Sequence, residues 1–176
     1  VRPRERHGGR GRVEVGRRRR SIGSQCALGR SKRNPADLDA VLLAIVDRVT
    51  RRLRAAQRVA RTVTLRLRFE DFTRVTRSHT IDRPTDDTAL LLAAARRLLA
   101  DAGPLIAEHG VTLLGLALGN LDDARAVQLT LPFGRRRPET ADRAVDEVRD
   151  RFGSDALRRA VLLGRSTGFS VPLLPD

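Results

Sequence analysis

The strongest constraint on the fold is a strict alternation of side chains between residues 61 and 69. Apolar side chains there take turns with polar or cationic ones: Val63, Leu65, Leu67 and Phe69 against Thr62, Thr64, Arg66 and Arg68. Successive side chains of a strand point to opposite faces of its sheet, so this pattern predicts a half-buried strand with hydroxyl and guanidinium groups on its outer face. The chain must therefore cover one face of a sheet with apolar groups and can leave the other face open.

A second strand follows directly in the sequence. Glu70-Asp71 is a turn signal, and residues 72–81 are rich in Thr, Val and Phe, so the two strands predict a hairpin. The facing of the second strand stays open at this point. One choice turns Arg74, Thr76 and Ser78 outward, and the other turns out Arg77 and His79.

Two helices are indicated by apolar residues at helical spacing. The first begins at Asn34-Pro35, a capping residue followed by a proline suited to the first turn. The second is predicted from about Thr85 to His109, with Pro104 expected to kink or split it and Gly110 expected to end it. Residues 21–29 give a weak strand, and residues 111–118 are almost wholly apolar and predict a central strand.

The resulting order is β, α, β, β, α, β, which predicts an α+β fold. We expect a ferredoxin-like four-stranded sheet with two helices on one face. A short helical C-terminal tail follows, with helices predicted from Pro138 to Gly153 and over residues 155–163. The face without helices is left to solvent or to a ligand.

Net charge points to a polyanionic partner. The chain has 35 basic and 21 acidic residues, a formal charge of +14, and Lys32 is its only lysine. Residues 1–33 alone hold twelve basic residues and two acidic ones. Cations that neutralise phosphates release counterions, which favours nucleic-acid binding. The arginine excess also fits a GC-rich bacterial genome, and the basic N-terminal block also fits a tail without a specific role.

Several classes of function are excluded by residues that the sequence lacks. Cys26 is the only cysteine, and His7, His79 and His109 are scattered, so neither a disulfide framework nor a zinc site is expected. No apolar run is long enough to span a membrane, and the basic N-terminus is not followed by a signal-like apolar stretch, which predicts a cytoplasmic protein. The chain begins with Val and contains no Met, so we expect a fragment or a reading frame with an alternative start codon.

The polar face of the predicted sheet is the candidate nucleic-acid surface. Thr62, Thr64, Arg66 and Arg68 share one face, and Arg74 and Arg77 of the next strand can extend the row. Hydroxyl and cationic groups suit phosphate and sugar contacts. The absence of Trp and Tyr argues against stacking on single-stranded bases, so we expect a grip on the duplex backbone. A charged face that is merely solvated is the alternative.

At this point the sequence resembles a known domain. Arg19-Arg20-Ser21-Ile22-Gly23-Ser24, the hairpin from Phe69 to Thr80, and Leu114-Gly115-Leu116 are similar to the little-finger domain of Y-family DNA polymerases of the polymerase IV type. The resemblance covers about residues 17–133. It implies that the domain holds the template–primer duplex through its backbone. Some relatives place Arg on the last strand, whereas this chain has Thr112, Leu113 and Ala117 there.

The resemblance and the polar face together give the predicted DNA-binding residues. They are Arg19, Arg20, Ser21, Gly23, Ser24, Thr62, Thr64, Arg66, Arg68, Arg74, Thr76, Arg77 and Ser78. The resemblance implies phosphate contacts by backbone amides and hydroxyl groups at residues 21–24, and similar contacts at Thr76, Arg77 and Ser78.

The hexapeptide Gln128–Phe133 resembles the motif with which bacterial polymerases bind the sliding clamp. Gln128 offers an amide, and Leu129, Leu131 and Phe133 offer apolar anchors for a groove. An edge strand or linker anchored by the same three side chains is the alternative. The predicted organisation is a flexible basic linker (1–18), a DNA-binding domain (19–121), a linker with the clamp motif (122–137) and a helical tail (138–176).

The predicted function is that of a DNA-binding and clamp-binding module of a damage-bypass polymerase. The expected partners are duplex DNA and the sliding clamp, and the expected state is a monomer. The parent would use magnesium, but its paired carboxylates belong to a palm domain, so no catalysis and no cofactor are predicted for these residues. The alternatives are a non-catalytic accessory protein of the same superfamily, an unrelated RNA-binding ferredoxin-like module, and a degraded reading frame.

Overall fold

A computed structural model of the chain describes residues 20–29, 33–125 and 138–164. The elements in chain order are β1 (Ser21–Ala27), α1 (Pro35–Ala55), β2 (Arg58–Phe69), β3 (Arg74–Thr85), α2 (Thr88–Asp101), α3 (Gly103–His109), β4 (Val111–Asp123), α4 (Pro138–Phe152) and a 3₁₀ turn (Ala160–Leu162). The predicted α+β fold is confirmed, with four strands in one sheet.

The helix boundaries follow from local chemistry. The amide of Asp37 donates to Asn34 Oδ1 at 2.7 Å, which caps α1 as the sequence predicts. Asp87 Oδ1 caps α2 by accepting from the amides of Ala89 (2.7 Å) and Leu90 (3.0 Å). Pro104 lies in the first turn of α3, so the predicted long second helix is split there.

All neighbouring strands of the sheet are antiparallel, in the order β1-β4-β2-β3. β1 and β2 are therefore parallel to each other with β4 between them, and β3 and β4 are parallel with β2 between them. In each βαβ unit the two parallel strands are therefore separated by one strand of the other unit, which is a split βαβ arrangement. The central strands are β4 and β2, and the edges are β1 and β3.

The core lies between the sheet and the layer formed by α1 and α2. α1 packs against β1 and β4, whereas α2 packs against β2 and β3. The largest fully buried side chains on the strands are Phe69, Leu65, Leu67, Leu114, Leu116 and Leu118. On β2 they alternate with polar residues, whereas on β4 they alternate with Leu113, Gly115, Ala117 and Gly119, so most large apolar side chains lie on one face of the sheet.

Two strands are longer than the sequence predicts. β3 runs to Thr85 rather than residue 81, because Thr85 still pairs with Ala60 beyond a register shift in β2. α2 consequently begins at Thr88 and not at Thr85. β4 runs to Asp123, and the short last helix is reduced to a 3₁₀ turn.

Residues 138–164, here called the C-terminal unit, dock on the helix layer through ion pairs. Asp142 and Asp146 of α4 contact Arg54 of α1 at 3.4 Å and 2.6 Å. A second set of ion pairs has the charges reversed: Asp47 of α1 pairs with Arg149 at 2.8 Å and with Arg159 at 3.2 Å. The unit therefore forms a third layer on the side of the helices that faces away from the sheet.

Arg54 is the centre of this network. Its guanidinium also donates to the Asp86 carbonyl (3.0 Å) and to Thr88 Oγ1 (2.9 Å), and its side chain is only 8% exposed. Burial alone would lower the pKa of Arg54, but the Asp146 and Asp142 carboxylates outweigh that effect and raise it above the ordinary value. Arg54 therefore stays charged, and its buried side chain links α1, α2 and α4.

Candidate nucleic-acid interface

The face of the sheet opposite α1 and α2 carries a grid of small and polar side chains. We call it the open face, and its members are Ser21, Gly23, Gln25 and Ala27 on β1, Leu113, Gly115, Ala117 and Gly119 on β4, Thr62, Thr64, Arg66 and Arg68 on β2, and Arg74, Thr76, Ser78 and Thr80 on β3. The register aligns them in rows across the sheet, such as Gln25, Gly115, Arg66 and Thr76. None of the grid residues is acidic, so the face as a whole is cationic.

Hydroxyl groups pair across β2 and β3. Thr62 and Thr80 are 3.1 Å apart at Oγ1, and Thr64 Oγ1 lies 2.9 Å from Ser78 Oγ. Asn120 Nδ2 adds a donor to Thr62 Oγ1 at 2.8 Å. A hydroxyl both donates and accepts, so this ladder orders the hydroxyls and leaves them capacity for an external partner.

Three arginines lie at the hairpin end of the open face. Arg68 and Arg74 stand directly opposite each other on β2 and β3, and Arg66 lies in the next row. Like charges that face each other across two strands are unfavourable unless an anion lies between or above them. In the described part of the chain, these three arginines form no ion pair with a carboxylate. The arrangement is therefore suited to bind phosphate.

The β1–β4 half of the open face has short side chains apart from Gln25 and Leu113. At Gly23, an added Cβ would lie 2.9 Å from the Leu116 carbonyl oxygen and 3.2 Å from the Ala117 Cβ. The two strands are thus closely packed there, and the peptide groups of β1 lie at the surface. A ligand can approach the main chain on this half more closely than on the half formed by β2 and β3.

The register decides between the two facings of β3. Arg74, Thr76 and Ser78 pair with open-face residues, whereas Arg77 and His79 pair with the buried Leu65 and Val63. The expectation that Arg77 extends the row of Arg66 and Arg68 is therefore wrong, because Arg77 is exposed on the other side of the edge strand.

Other predicted residues are placed in different ways. The Ser24 side chain lies on the helix side of β1, between Ile22 and Cys26, so it does not join Ser21 and Gly23 on the open face. Arg20 is exposed just before β1. Arg19 lies outside the described residues, as do Gln128, Leu129, Leu131 and Phe133.

Three polar residues of this site escaped the sequence prediction. They are Gln25, Thr80 and Asn120. The alternation of β3 could have identified Thr80, since it continues the series of Arg74, Thr76 and Ser78. Asn120 has a positive φ of 49°, and its contact with Thr62 depends on strand pairing over a distance that local sequence does not encode.

The hairpin turn orders the end of the open face. Asp71 Oδ1 accepts from the Thr73 hydroxyl at 2.6 Å and from the Thr73 amide at 2.9 Å. These two hydrogen bonds hold the pKa of the Asp71 carboxyl below its ordinary value. The carboxylate closest in sequence to Arg74 is therefore engaged within the turn.

Within residues 20–29, 33–125 and 138–164, no three His, Cys, Asp or Glu side chains are grouped so that they could hold a metal ion. Cys26 is 3% exposed, and burial raises the pKa of its thiol, which opposes thiolate formation. No helix in the same ranges is long and apolar enough to cross a bilayer.

Comparison with known families identifies the domain that carries this surface. Residues 19–131 match the C-terminal domain of the impB/mucB/samB family. The chain belongs to this family. The predicted little-finger domain of the Y-family, polymerase IV type is thereby confirmed, and the matched range includes all four strands of the sheet.

Relatives in this family are DNA polymerases by name. The chain is 39% identical to "DNA polymerase IV 2" of Mesorhizobium japonicum over 162 residues. This alignment covers 83% of this chain and 38% of that protein. Over 145 residues it is 37% identical to "DNA polymerase IV" of Moorella thermoacetica, covering 82% of this chain and 36% of that protein. The chain therefore spans little more than a third of the length of these relatives.

Among solved structures, the chain is similar to a "Complex of beta-clamp processivity factor and little finger domain of PolIV". The match has 22% identity and a TM-score of 0.47, and it covers 65% of this chain and 99% of that one.

Proposed function

We propose that this domain holds the duplex product of a damage-bypass DNA polymerase against its open face, and that Gln128–Phe133 tethers the parent polymerase to the sliding clamp. The proposal rests on one observation above all. The helix-free face of the sheet presents Arg66, Arg68 and Arg74 together, with no carboxylate in the grid to neutralise them. A polyanion supplies the missing charge.

The chemistry of the open face favours contact with a sugar–phosphate backbone. Guanidinium and hydroxyl groups donate hydrogen bonds to phosphate oxygens. The exposed peptide groups of β1 can contact a second stretch of the backbone. Arg20, Ser21, Gly23, Thr62, Thr64, Arg66, Arg68, Arg74, Thr76 and Ser78 are the proposed contacts. Arg19, Ser24 and Arg77 remain predictions that the family resemblance alone supports.

Stacking on unpaired bases has less support. The protein has no Trp or Tyr, Phe69 is 2% exposed, and Phe72, although 66% exposed, is a single ring in the hairpin turn outside the grid of the open face. Single-strand binding without aromatic platforms is uncommon. This composition favours duplex DNA over the RNA-binding alternative.

The DNA proposal is tested by binding measurements at several salt concentrations. We expect duplex DNA to bind more tightly than single-stranded RNA. Arg66→Ala with Arg68→Ala lowers the magnitude of the slope of log K against log salt by about 2, since each lost phosphate contact removes about 0.9. The control is Arg97→Ala with Arg143→Ala, which removes the same charge from exposed positions on α2 and α4.

The outcome that contradicts the proposal is an equal loss in the two double variants, because net charge alone would then govern binding. Preference for single-stranded RNA over duplex DNA would support the RNA-binding alternative instead. Arg77→Ala, as a third arm, measures whether a side chain on the other face of β3 contributes as the resemblance implies.

The clamp proposal has its own experiment. Gln128→Ala with Phe133→Ala removes the amide and an apolar anchor, and we expect it to abolish binding to a bacterial sliding clamp while duplex binding is retained. Thr130→Ala, between the anchors, is the control and retains both activities. Loss of duplex binding in the double variant would contradict the separation of roles.

For the parent protein we propose template-directed nucleotidyl transfer with magnesium, as a monomer in the cytoplasm, by a catalytic part that these residues do not include. The family names of its relatives support this proposal. A non-catalytic accessory role is the alternative. Primer extension by the full-length parent, with and without magnesium, separates the two, since an accessory protein extends no primer.

A further inference from the structure

Strand β1 forms one edge of the sheet, so every second peptide group on its outer side faces no neighbouring strand. Two contacts show which groups these are. The Leu28 amide donates to the Thr112 carbonyl of β4 at 2.8 Å, which directs the even-numbered residues of this segment towards β4. The Gly23 carbonyl instead accepts from Arg52 Nη1 of α1 at 3.3 Å, so it points outward. Because the N–H and C=O groups of a strand residue point the same way, the Gly23 amide also lies on the free edge.

Two exposed arginines of α1 border the same edge. Arg48 and Arg52 are four residues apart, so they lie on the same side of the helix, and we call them the edge pair. Arg52 reaches β1 through its contact with Gly23. Burial raises the pKa of the Cys26 thiol, and the charges of Arg33 and Arg48 act against this rise, which places Arg48 near β1 as well. The edge pair therefore follows β1 on its outer side.

Arg52 keeps most of its capacity to bind an anion. The Gly23 carbonyl takes one of the five donors of its guanidinium group. Within the described residues, Arg52 forms no ion pair with a carboxylate. Asp47, the acidic residue next to the edge pair on α1, is engaged by Arg149 at 2.8 Å and Arg159 at 3.2 Å. Arg52 also covers the carbonyl that would repel an anion at the Gly23 amide, so both donors can serve one anion.

The edge pair and the open-face arginines lie on opposite sides of the β1–β4 half of the sheet. β1 is two strands from β2 and three from β3, which corresponds to about 10 Å and 14 Å at the usual strand spacing. The major groove of B-DNA is about 12 Å wide. Along the strands, Gly23 is two residues from Gln25, which lies in the row of Arg66. The two sets of arginines are therefore spaced to face the two strands of one duplex.

We infer that the edge pair binds phosphates of the second strand of the duplex, across the major groove from the strand that the open-face arginines bind. The Gly23 amide donates to the same phosphates as Arg52. The inference rests on the proposed DNA role and adds a second set of contacts, which a helix supplies from beside the sheet. Because the two sets bind different strands, both are engaged only by a duplex.

The first experiment measures duplex binding of the full chain at several salt concentrations. Arg48→Ala with Arg52→Ala removes the edge pair, and we expect it to lower the magnitude of the slope of log K against log salt by about 2. Arg97→Ala with Arg143→Ala is the control, because it removes the same charge from other exposed helix positions and leaves the slope nearly unchanged. Alanine is a good helix former and all four positions are exposed, so both variants keep the fold.

A second probe tests which strand the edge pair contacts. It is a short duplex with neutral methylphosphonate linkages throughout one strand, so only the other strand is charged. The charged strand can occupy the open-face arginines. We therefore expect the loss of slope in the edge variant to fall from about 2 to less than about 1 on this duplex. An equal loss on both duplexes would overturn the inference, because the two sets of arginines would then bind the same strand.

The open-face variant, Arg66→Ala with Arg68→Ala, separates failure of the inference from failure of the proposed function. If this variant lowers the slope on the unmodified duplex while the edge variant matches the control, the inference is overturned and the open-face proposal stands. If both variants match the control, the proposed DNA role fails and the inference fails with it.

Discussion

Two groups of arginines in this protein have opposite environments. Arg54, Arg149 and Arg159 each contact an aspartate where the C-terminal unit docks on the helix layer. Arg66, Arg68 and Arg74 lie on the open face and contact no carboxylate in the described part of the chain. The first group is held by charges within the protein, whereas the second is left for charges outside it.

The difference teaches that arginine content alone is a poor guide to nucleic-acid contact. A buried arginine between two carboxylates can approach a phosphate only after its own ion pairs break. Breaking them costs free energy because it leaves the carboxylates without their positive partner. An arginine on a face without carboxylates has no such competitor. In this domain, whether an arginine is paired with a carboxylate distinguishes structural arginines from candidate ligand contacts better than the number of arginines does.

The largest expected effect comes from removing a paired arginine. Arg54→Ala removes the guanidinium that pairs with Asp146 and Asp142, although Asp142 keeps the Thr88 amide at 2.9 Å and Arg159 at 3.9 Å. We expect the variant to reduce the free energy of unfolding by about 3–5 kcal/mol. Urea denaturation measures this loss, and duplex binding is expected to stay unchanged. Arg51→Ala is the control, because its partner Asp150 is 71% exposed and such pairs contribute about 1 kcal/mol or less. Equal losses in the two variants would contradict the comparison.

A smaller effect is expected when an open-face arginine is given a carboxylate. Thr76 stands opposite Arg66, so Thr76→Glu creates a cross-strand ion pair. We expect the salt slope of duplex binding to fall by about 1, as for one lost phosphate contact. Stability changes by about 1 kcal/mol or less.

Thr76→Gln is the matched control for that variant, since it has the same length without the charge. If the glutamine variant loses as much duplex affinity as the glutamate variant, pairing of Arg66 is not the cause. Binding isotherms at three or more salt concentrations distinguish the two results.

The smallest effect concerns the hairpin turn. Because the pKa of Asp71 is lowered in the fold, its stabilising contribution is present above the ordinary value of 3.8 and is lost as the pH falls through the lower folded value. An NMR titration of the Asp71 carboxyl is expected to give a midpoint below 3.8, and Asp71→Asn removes the matching change at the Thr73 amide. A midpoint at or above 3.8 would mean that Thr73 does not hold the carboxylate.

Much of the fold could be predicted from the sequence because the patterns that specify these elements are local. The alternation of residues 61–69 predicts both β2 and its facing, and Asn34-Pro35 predicts the start of α1. Pro104 predicts the break between α2 and α3. Each of these signals acts within a few residues, so no knowledge of distant contacts was needed.

The remaining features depend on partners far along the chain. The facing of β3 was ambiguous because both of its sides are polar and largely exposed, so only pairing with β2 decides it. The docking of α4 depends on Arg54 and Asp142, which are 88 residues apart. A sequence that is rich in both charges offers many such pairs, and local chemistry cannot select among them.

The low half of the open face has a consequence for how a rod-shaped ligand would lie. With glycine or alanine at positions 115, 117 and 119, the middle of β4 offers no side chain that could act as a wedge between base pairs, and the half-buried Leu113 lies at the hairpin end. The arginines of this face lie on the β2 and β3 side, whereas the other side has short side chains apart from Gln25 and Leu113, so on this face a duplex bound as proposed would contact guanidinium groups on one side and mainly peptide groups on the other. Under the proposed DNA role, this asymmetry would let the domain distinguish the two strands of the duplex, and the short side chains in the middle of β4 would let the duplex slide along the face.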